Sequence, residues 1–179
     1  MIAIAYDVRI YRKCLKDLTR EGDIVIEIGP HTGKHIVDYV EKASRIIAID
    51  KSPEAKKAFL ELEKKYEKIK FIYGDVRLFQ TVIAAMKLVK KCDLLAVDLG
   101  GGRYPDTVFK VWALWSGCFK PRDSVIRNRG LAEFLQRAKI VDPSLRRSFK
   151  DDGWLSEWGR ATPSKLRELL EEFKLWVDL

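Results

Sequence analysis

The chain has 179 residues, with 34 Lys/Arg against 26 Asp/Glu for a net charge of +8, and 47% hydrophobic residues, the proportions of one soluble globular domain with a substantial core. No apolar run nears the ~20 residues of a membrane span, and residues 1–13 mix Asp7, Arg9, Arg12 and Lys13 into their apolar stretch, unlike a cleaved leader. Cys14, Cys92 and Cys118 have neither disulfide-framework nor metal-ligand spacing, so a reducing cytoplasm is the expected setting.

In chain order, residues 23–28 read as a buried strand, 34–42 as a helix and 45–49 as a second strand. A helix follows over 53–66, with Ser52 as its N-cap and Pro53 at its first position. Residues 69–73 read as a strand, 78–90 as a helix and 93–97 as a strand. The Gly100-Gly101-Gly102 turn leads to a helix over about 106–117, a short strand over 124–126 and a helix over 131–138. Thr162-Pro163-Ser164 caps a last helix over about 163–174, with Leu166, Leu169, Leu170 and Phe173 at helical spacing, after irregular structure over 141–160. Short apolar strands alternating with helices predict an α/β domain with a mostly parallel sheet and right-handed crossovers.

The chemistry concentrates where strands end. Val25-Ile26-Glu27-Ile28 runs into Gly29-Pro30-His31-Thr32-Gly33, and Ile46-Ile47-Ala48-Ile49 ends in Asp50. A glycine turn at the carboxyl edge of a parallel sheet lets backbone approach a nucleotide-type ligand, and an acid ending the next strand can accept ribose hydroxyls. A dinucleotide fingerprint needs glycine at the first, third and sixth turn positions; here these are Gly29, His31 and Lys34.

The pattern resembles the class I S-adenosylmethionine-dependent methyltransferases. Their first motif, acid-x-Gly-x-Gly-x-Gly, maps onto Glu27, Gly29, His31 and Gly33; their second acid maps onto Asp50, their third onto Gly74-Asp75-Val76, and their fourth onto Asp98. The match spans about residues 11–138 of a single domain covering 1–179. The resemblance implies a Rossmann-like fold and S-adenosylmethionine as cofactor. It puts Gly29 and Gly33 beside the methionine part, Asp50 on the ribose, Asp75 near the adenine amino group and Asp98 near the methyl donor. Two departures stand out. His31 replaces the middle glycine, where a positive φ carries a cost that His bears better than most residues. No terminal antiparallel hairpin is legible after Ala138, so the sheet is expected to be trimmed, with the tail helix over its edge.

For the acceptor, Arg103 and Tyr104 after the glycine turn, and Arg127 and Arg129 after the fifth predicted strand, lie on the expected binding edge. Residues 120–150 carry nine Lys/Arg against three Asp/Glu, whereas 151–179 carry four against seven. Arg122, Arg137, Lys139, Arg146, Arg147 and Lys150 join them as a candidate phosphate track, which favours an anionic acceptor, RNA ahead of a small acid. A solvated thermophile surface explains the same charge, since Met, Gln and Asn are scarce beside Lys and Glu. Asp98 and His31 are the candidate proton acceptors. His31 and His35 lack the further ligands a metal needs, so no metal is expected. Trp112 and Trp115, and Trp154 and Trp158, read as packing aromatics. An Asn/Asp-Pro-Pro-aromatic motif and a Pro-Cys pair are both missing, which disfavours base amino groups and pyrimidine carbon 6. Two other readings stay open: methylation of a small molecule or protein side chain, and a non-catalytic module whose free sheet edge would serve a partner or a homodimer.

Overall fold

The computed structural model describes residues 1–100, 103–145 and 148–156. Six strands form one sheet: β1 (Ile2–Ala5), β2 (Ile24–Ile28), β3 (Arg45–Asp50), β4 (Ile69–Tyr73), β5 (Leu94–Val97) and β6 (Asp123–Arg127). Their order is β1-β6-β5-β2-β3-β4, and every pairing is parallel. The helices are α1 (Val8–Leu18), α2 (Pro53–Lys65), α3 (Phe79–Leu88), α4 (Pro105–Phe119) and α5 (Arg129–Arg137). The strands are nearly continuous apolar runs because both faces are covered. Ile26, Ile28, Ile47, Ile49, Leu95 and Val97 pack with Trp112, Trp115 and Phe119 of α4. Their alternates Val25, Ile46, Ala48, Leu94 and Ala96 pack with Tyr11 and Leu15 of α1 and Phe59 of α2. The expected tryptophan packing holds for Trp112 and Trp115, which are 2% and 0% exposed. Residues 163–174, with Trp158, Arg146, Arg147, Gly101 and Gly102, lie outside the described residues.

Three features depart from expectation. The β6 edge is taken by β1, which pairs with it from Ile2↔Ser124 to Ala5↔Arg127. The predicted trimming of the antiparallel strands is seen among the described residues, but the edge beside β6 is filled from the amino-terminal segment. The outer strands of the sheet are therefore β1 and β4. Second, α1 stands where no element was predicted; Asp7 caps it by accepting from the Arg9 and Ile10 amides. Third, residues 34–42 form a 3-10 turn, Lys34–Asp38, and further turns, not a regular helix. Gly33 enters in the left-handed region and Gly22 N–H bonds to Lys42 C=O, so both ends of this short segment are pinned.

The chain runs β2–β3–β4 toward one side of the sheet and resumes at β5 on the other side of β2. The carboxyl ends of β2 and β5 therefore flank a switch point, where parallel α/β sheets open a crevice.

Candidate functional site

The register alone lines up the site. Ile28 of β2 pairs with Ile49 of β3 and Val97 of β5, and Val97 pairs with Ile126 of β6. The next residues, Gly29, Asp50, Asp98 and Arg127, thus stand abreast at the carboxyl edge. A cavity of about 680 Å³ opens over them.

Gly29 has φ 74°, and a Cβ built there would lie 1.8 Å from the Asp98 carbonyl oxygen. Only glycine lets this loop rest on the end of β5, a contact held by Asp98 N–H to Ile28 C=O (2.9 Å), while Gly29 N–H bonds to Ile49 C=O of β3 (2.8 Å). His31 takes φ 54°, the left-handed conformation its sequence position called for. Its N–H donates to Asp50 Oδ2 (2.9 Å), while Ser52 N–H donates to Asp50 Oδ1 (2.8 Å). Asp50 thereby ties the glycine loop to the start of α2, and each of its oxygens keeps a second acceptor position.

Asp75 follows β4 and lines the same cavity. Arg77 Nη2 (2.5 Å) and Nε (2.9 Å) donate to it, and Lys51 Nζ lies 3.2 Å away. The Arg77 guanidinium, helped by Lys51, outweighs partial burial and holds the Asp75 carboxyl well below the usual carboxylate range. Val76 lies against α4, its carbonyl accepting from Trp115 Nε1 at 2.9 Å. Asp98 Oδ2 accepts from Arg127 Nη1 (2.8 Å) and Oδ1 from Gly100 N–H (3.1 Å). Arg127 Nε also donates to the Tyr6 carbonyl (3.1 Å), so one guanidinium bridges β1 and β5. Tyr104, at φ 55° and 67% exposed, forms part of the rim.

Of the residues expected at the site, Gly29, His31, Asp50, Asp75, Val76, Asp98, Tyr104 and Arg127 line the cavity, and Glu27, Gly33, Arg103 and Arg129 do not. Glu27 sits one register step below the edge, opposite Ala48 and Ala96, where its side chain is sealed in at 1% exposure. It accepts from Tyr39 Oη (2.5 Å) and pairs with His35 Nε2 (2.5 Å). Burial opposes charge on His35, but the Glu27 carboxylate outweighs it and raises the imidazole above its ordinary 6.5. Glu27 is thus a buried anchor for the segment after the glycine loop. Gly33, at φ 65°, packs on α2, where a Cβ would meet the Phe59 ring at 2.6 Å. The Arg103 carbonyl accepts from Asn128 Nδ2 (3.0 Å), and Arg129 lies 5.2 Å from the centre of the Tyr6 ring.

The supposed phosphate track is also redrawn. Arg122, at the amino end of β6, donates to Asp23 (2.9 and 3.0 Å), Asp123 (2.6 Å) and the Leu18 carbonyl. It clamps the edge of the sheet opposite the cavity. Arg137 pairs with Glu133 one helical turn away (2.8 Å). His31 and His35 do not share a site, and among the described residues no cluster of three or more His, Cys, Asp or Glu is placed to hold a metal. No described helix is long and apolar enough to cross a membrane.

Sequence reasoning missed Val8, Arg12, Lys51, Arg77 and Thr107 in the cavity wall. Lys51 and Arg77 were within reach of it, each within two residues of a recognised acid. Arg12 was not, because only the placement of α1 brings it to this edge.

No protein-family model and no curated protein sequence matches the chain. Among solved structures it is similar to fibrillarin from Aeropyrum pernix with natively bound S-adenosyl-L-methionine, at TM-score 0.50 and 19% identity over 62% of this chain and 48% of that one. It is also similar to an rRNA methylase from Streptococcus thermophilus, at TM-score 0.53 and 11% identity over 74% and 80% of the two chains. The chain spans about half the length of that fibrillarin. Such neighbours are class I S-adenosylmethionine-dependent methyltransferases, and the likeness establishes their Rossmann-like fold for this chain.

Proposed function

We propose that the chain is an S-adenosylmethionine-dependent methyltransferase acting on an anionic acceptor, with RNA as the favoured class. The observation that carries this is the meeting of Gly29, Asp50, Asp75 and Asp98, the ends of four different segments, around one cavity of about 680 Å³. The donor set fits the cofactor. Asp50 offers free acceptor positions for ribose hydroxyls, Ile49, Val76 and Leu99 give apolar walls for a base, and Gly29 keeps the loop clear of side-chain atoms. The neighbouring fibrillarin was crystallised with this cofactor bound.

Bound there, S-adenosylmethionine supplies an electrophilic methyl group on a sulfonium, displaced in line by the acceptor. Much of the catalysis is then positioning. Arg127 fixes the Asp98 carboxylate beside the cavity, where it orients bound groups. His31, exposed at the mouth, is the ring available to take the acceptor's proton. Arg12, Lys51, Arg77 and Arg127 give the cavity four cations against three acids, which suits an anionic acceptor.

The test is transfer of a labelled methyl group from S-adenosylmethionine to total RNA, with total protein and a small-acid mixture in parallel. Label in RNA, abolished by Asp50→Ala, is the expected result. Label in protein or small acids alone would remove the RNA assignment, and label in none of them would favour a non-catalytic module.

A further inference from the structure

The amino-terminal segment brings to the mouth of the cavity a group of side chains that the donor site does not use. Val8 and Arg12 of α1 line the cavity. Arg12 is exposed and makes no hydrogen bond or ion pair among the described residues, whereas Lys51, Arg77 and Arg127 each face a carboxylate. Two residues before Val8, the Tyr6 ring is 50% exposed, with the Arg129 guanidinium 5.2 Å from its centre. The backbone of Tyr6 is locked to the cavity wall by Arg127, which also holds Asp98. Tyr104, in the lining of the same cavity, is 67% exposed and anchored by its left-handed turn at the start of α4.

We infer that this rim is the acceptor platform, and that it receives single-stranded nucleic acid. The inference deepens the methyltransferase reading above and rests on it. Exposed aromatic rings beside arginines are what unpaired bases stack on, while a free guanidinium takes the neighbouring phosphate. A duplex keeps its bases stacked inside and cannot use such rings. Tyr6 and Arg129 form one stacking pair, Tyr104 stands at the cavity where the reacting nucleotide enters, and Arg12, in the lining of that cavity, binds the backbone. Residues 6–12 therefore supply Tyr6 and Arg12 to the acceptor site, and the basic segment 120–150 supplies Arg127 and Arg129.

The experiment measures fluorescence anisotropy of a labelled ten-nucleotide oligoribonucleotide with the full chain, as a single strand and as a duplex, beside the matching oligodeoxyribonucleotide. S-adenosylhomocysteine titration is run on every variant as a separate readout. The single strand is expected to bind in preference to the duplex, with Tyr6→Ala weakening it about tenfold and Tyr6→Phe retaining it. Arg12→Ala is expected to flatten the logarithmic salt dependence by ~0.7, and Arg137→Ala to change nothing. The two sugar arms tell whether the strand is RNA or DNA. Preference for the duplex, or unchanged binding in both Tyr6→Ala and Arg12→Ala, overturns the platform. So does methylation of protein with no oligonucleotide binding. Failure of the folded wild type to bind S-adenosylhomocysteine instead overturns the methyltransferase reading beneath it.

Discussion

Replacing Gly29 by alanine tests whether the glycine loop serves a close approach or merely a turn. The new Cβ would stand 1.8 Å from the Asp98 carbonyl oxygen, and ordinary contact begins near 3.4 Å, so the ends of β2 and β5 must part by roughly 1.6 Å. That movement breaks Asp98 N–H to Ile28 C=O, the bond that joins the two ends, worth about 1 kcal/mol. An alanine held at positive φ adds ~1 kcal/mol. The total of ~2 kcal/mol lowers the melting temperature by roughly 4–8 °C in a domain of this size. Gly22→Ala is the internal control: its φ is 82°, but nothing lies within 4 Å of the added atom, so only the backbone strain of ~1 kcal/mol applies. Thermal unfolding followed by circular dichroism compares the two. Equal melting shifts in Gly29→Ala and Gly22→Ala would refute the argument, because the clash would then count for nothing.

Three further changes probe neighbouring links. His31→Gly removes a non-glycine residue from φ 54° and is expected to raise stability by ~1 kcal/mol in thermal melts while lowering methyl transfer, if the ring takes the acceptor's proton. Asp50→Asn sets an amide N–H₂ against one of the two backbone N–H groups that the carboxylate accepts, so a loss of ~1–2 kcal/mol in urea unfolding and of cofactor affinity should follow. The His35–Glu27 pair raises the imidazole above 6.5, so its stabilisation is complete below that pH and fades as pH rises through the folded-state value. Melts from about pH 6 to about pH 9 should show this decline in the wild type and its absence in His35→Gln; parallel curves would mean that the folded state does not raise the His35 imidazole.

The strands and the acids that end them were legible because a buried parallel strand writes itself as a nearly continuous apolar run. Asp50 and Asp98 are where two such runs stop, and Asp75 follows a third across a glycine. Glu27 misled for a reason within the same pattern. It faces the α1 side with Val25, yet stands one step below the edge, and no local signal distinguishes a buried anchor from an acid at the edge. Gly33 looked like part of a ligand loop, but its missing Cβ makes room for Phe59, a residue 26 positions later. β1 and α1 were illegible as parts of the site because a four-residue strand gains its meaning only from pairing with β6, more than a hundred residues away. The same long-range placement turned Arg122 from a candidate phosphate contact into a clamp on Asp23.

The most direct measurement is calorimetric titration of the folded chain with S-adenosylhomocysteine, beside Asp50→Ala. Saturable one-site binding in the wild type, lost in a variant that keeps its circular dichroism spectrum, is the predicted result. A wild type that is folded by the same spectrum and shows no saturable heat would contradict the claim that Gly29, Asp50, Asp75 and Asp98 form a cofactor site.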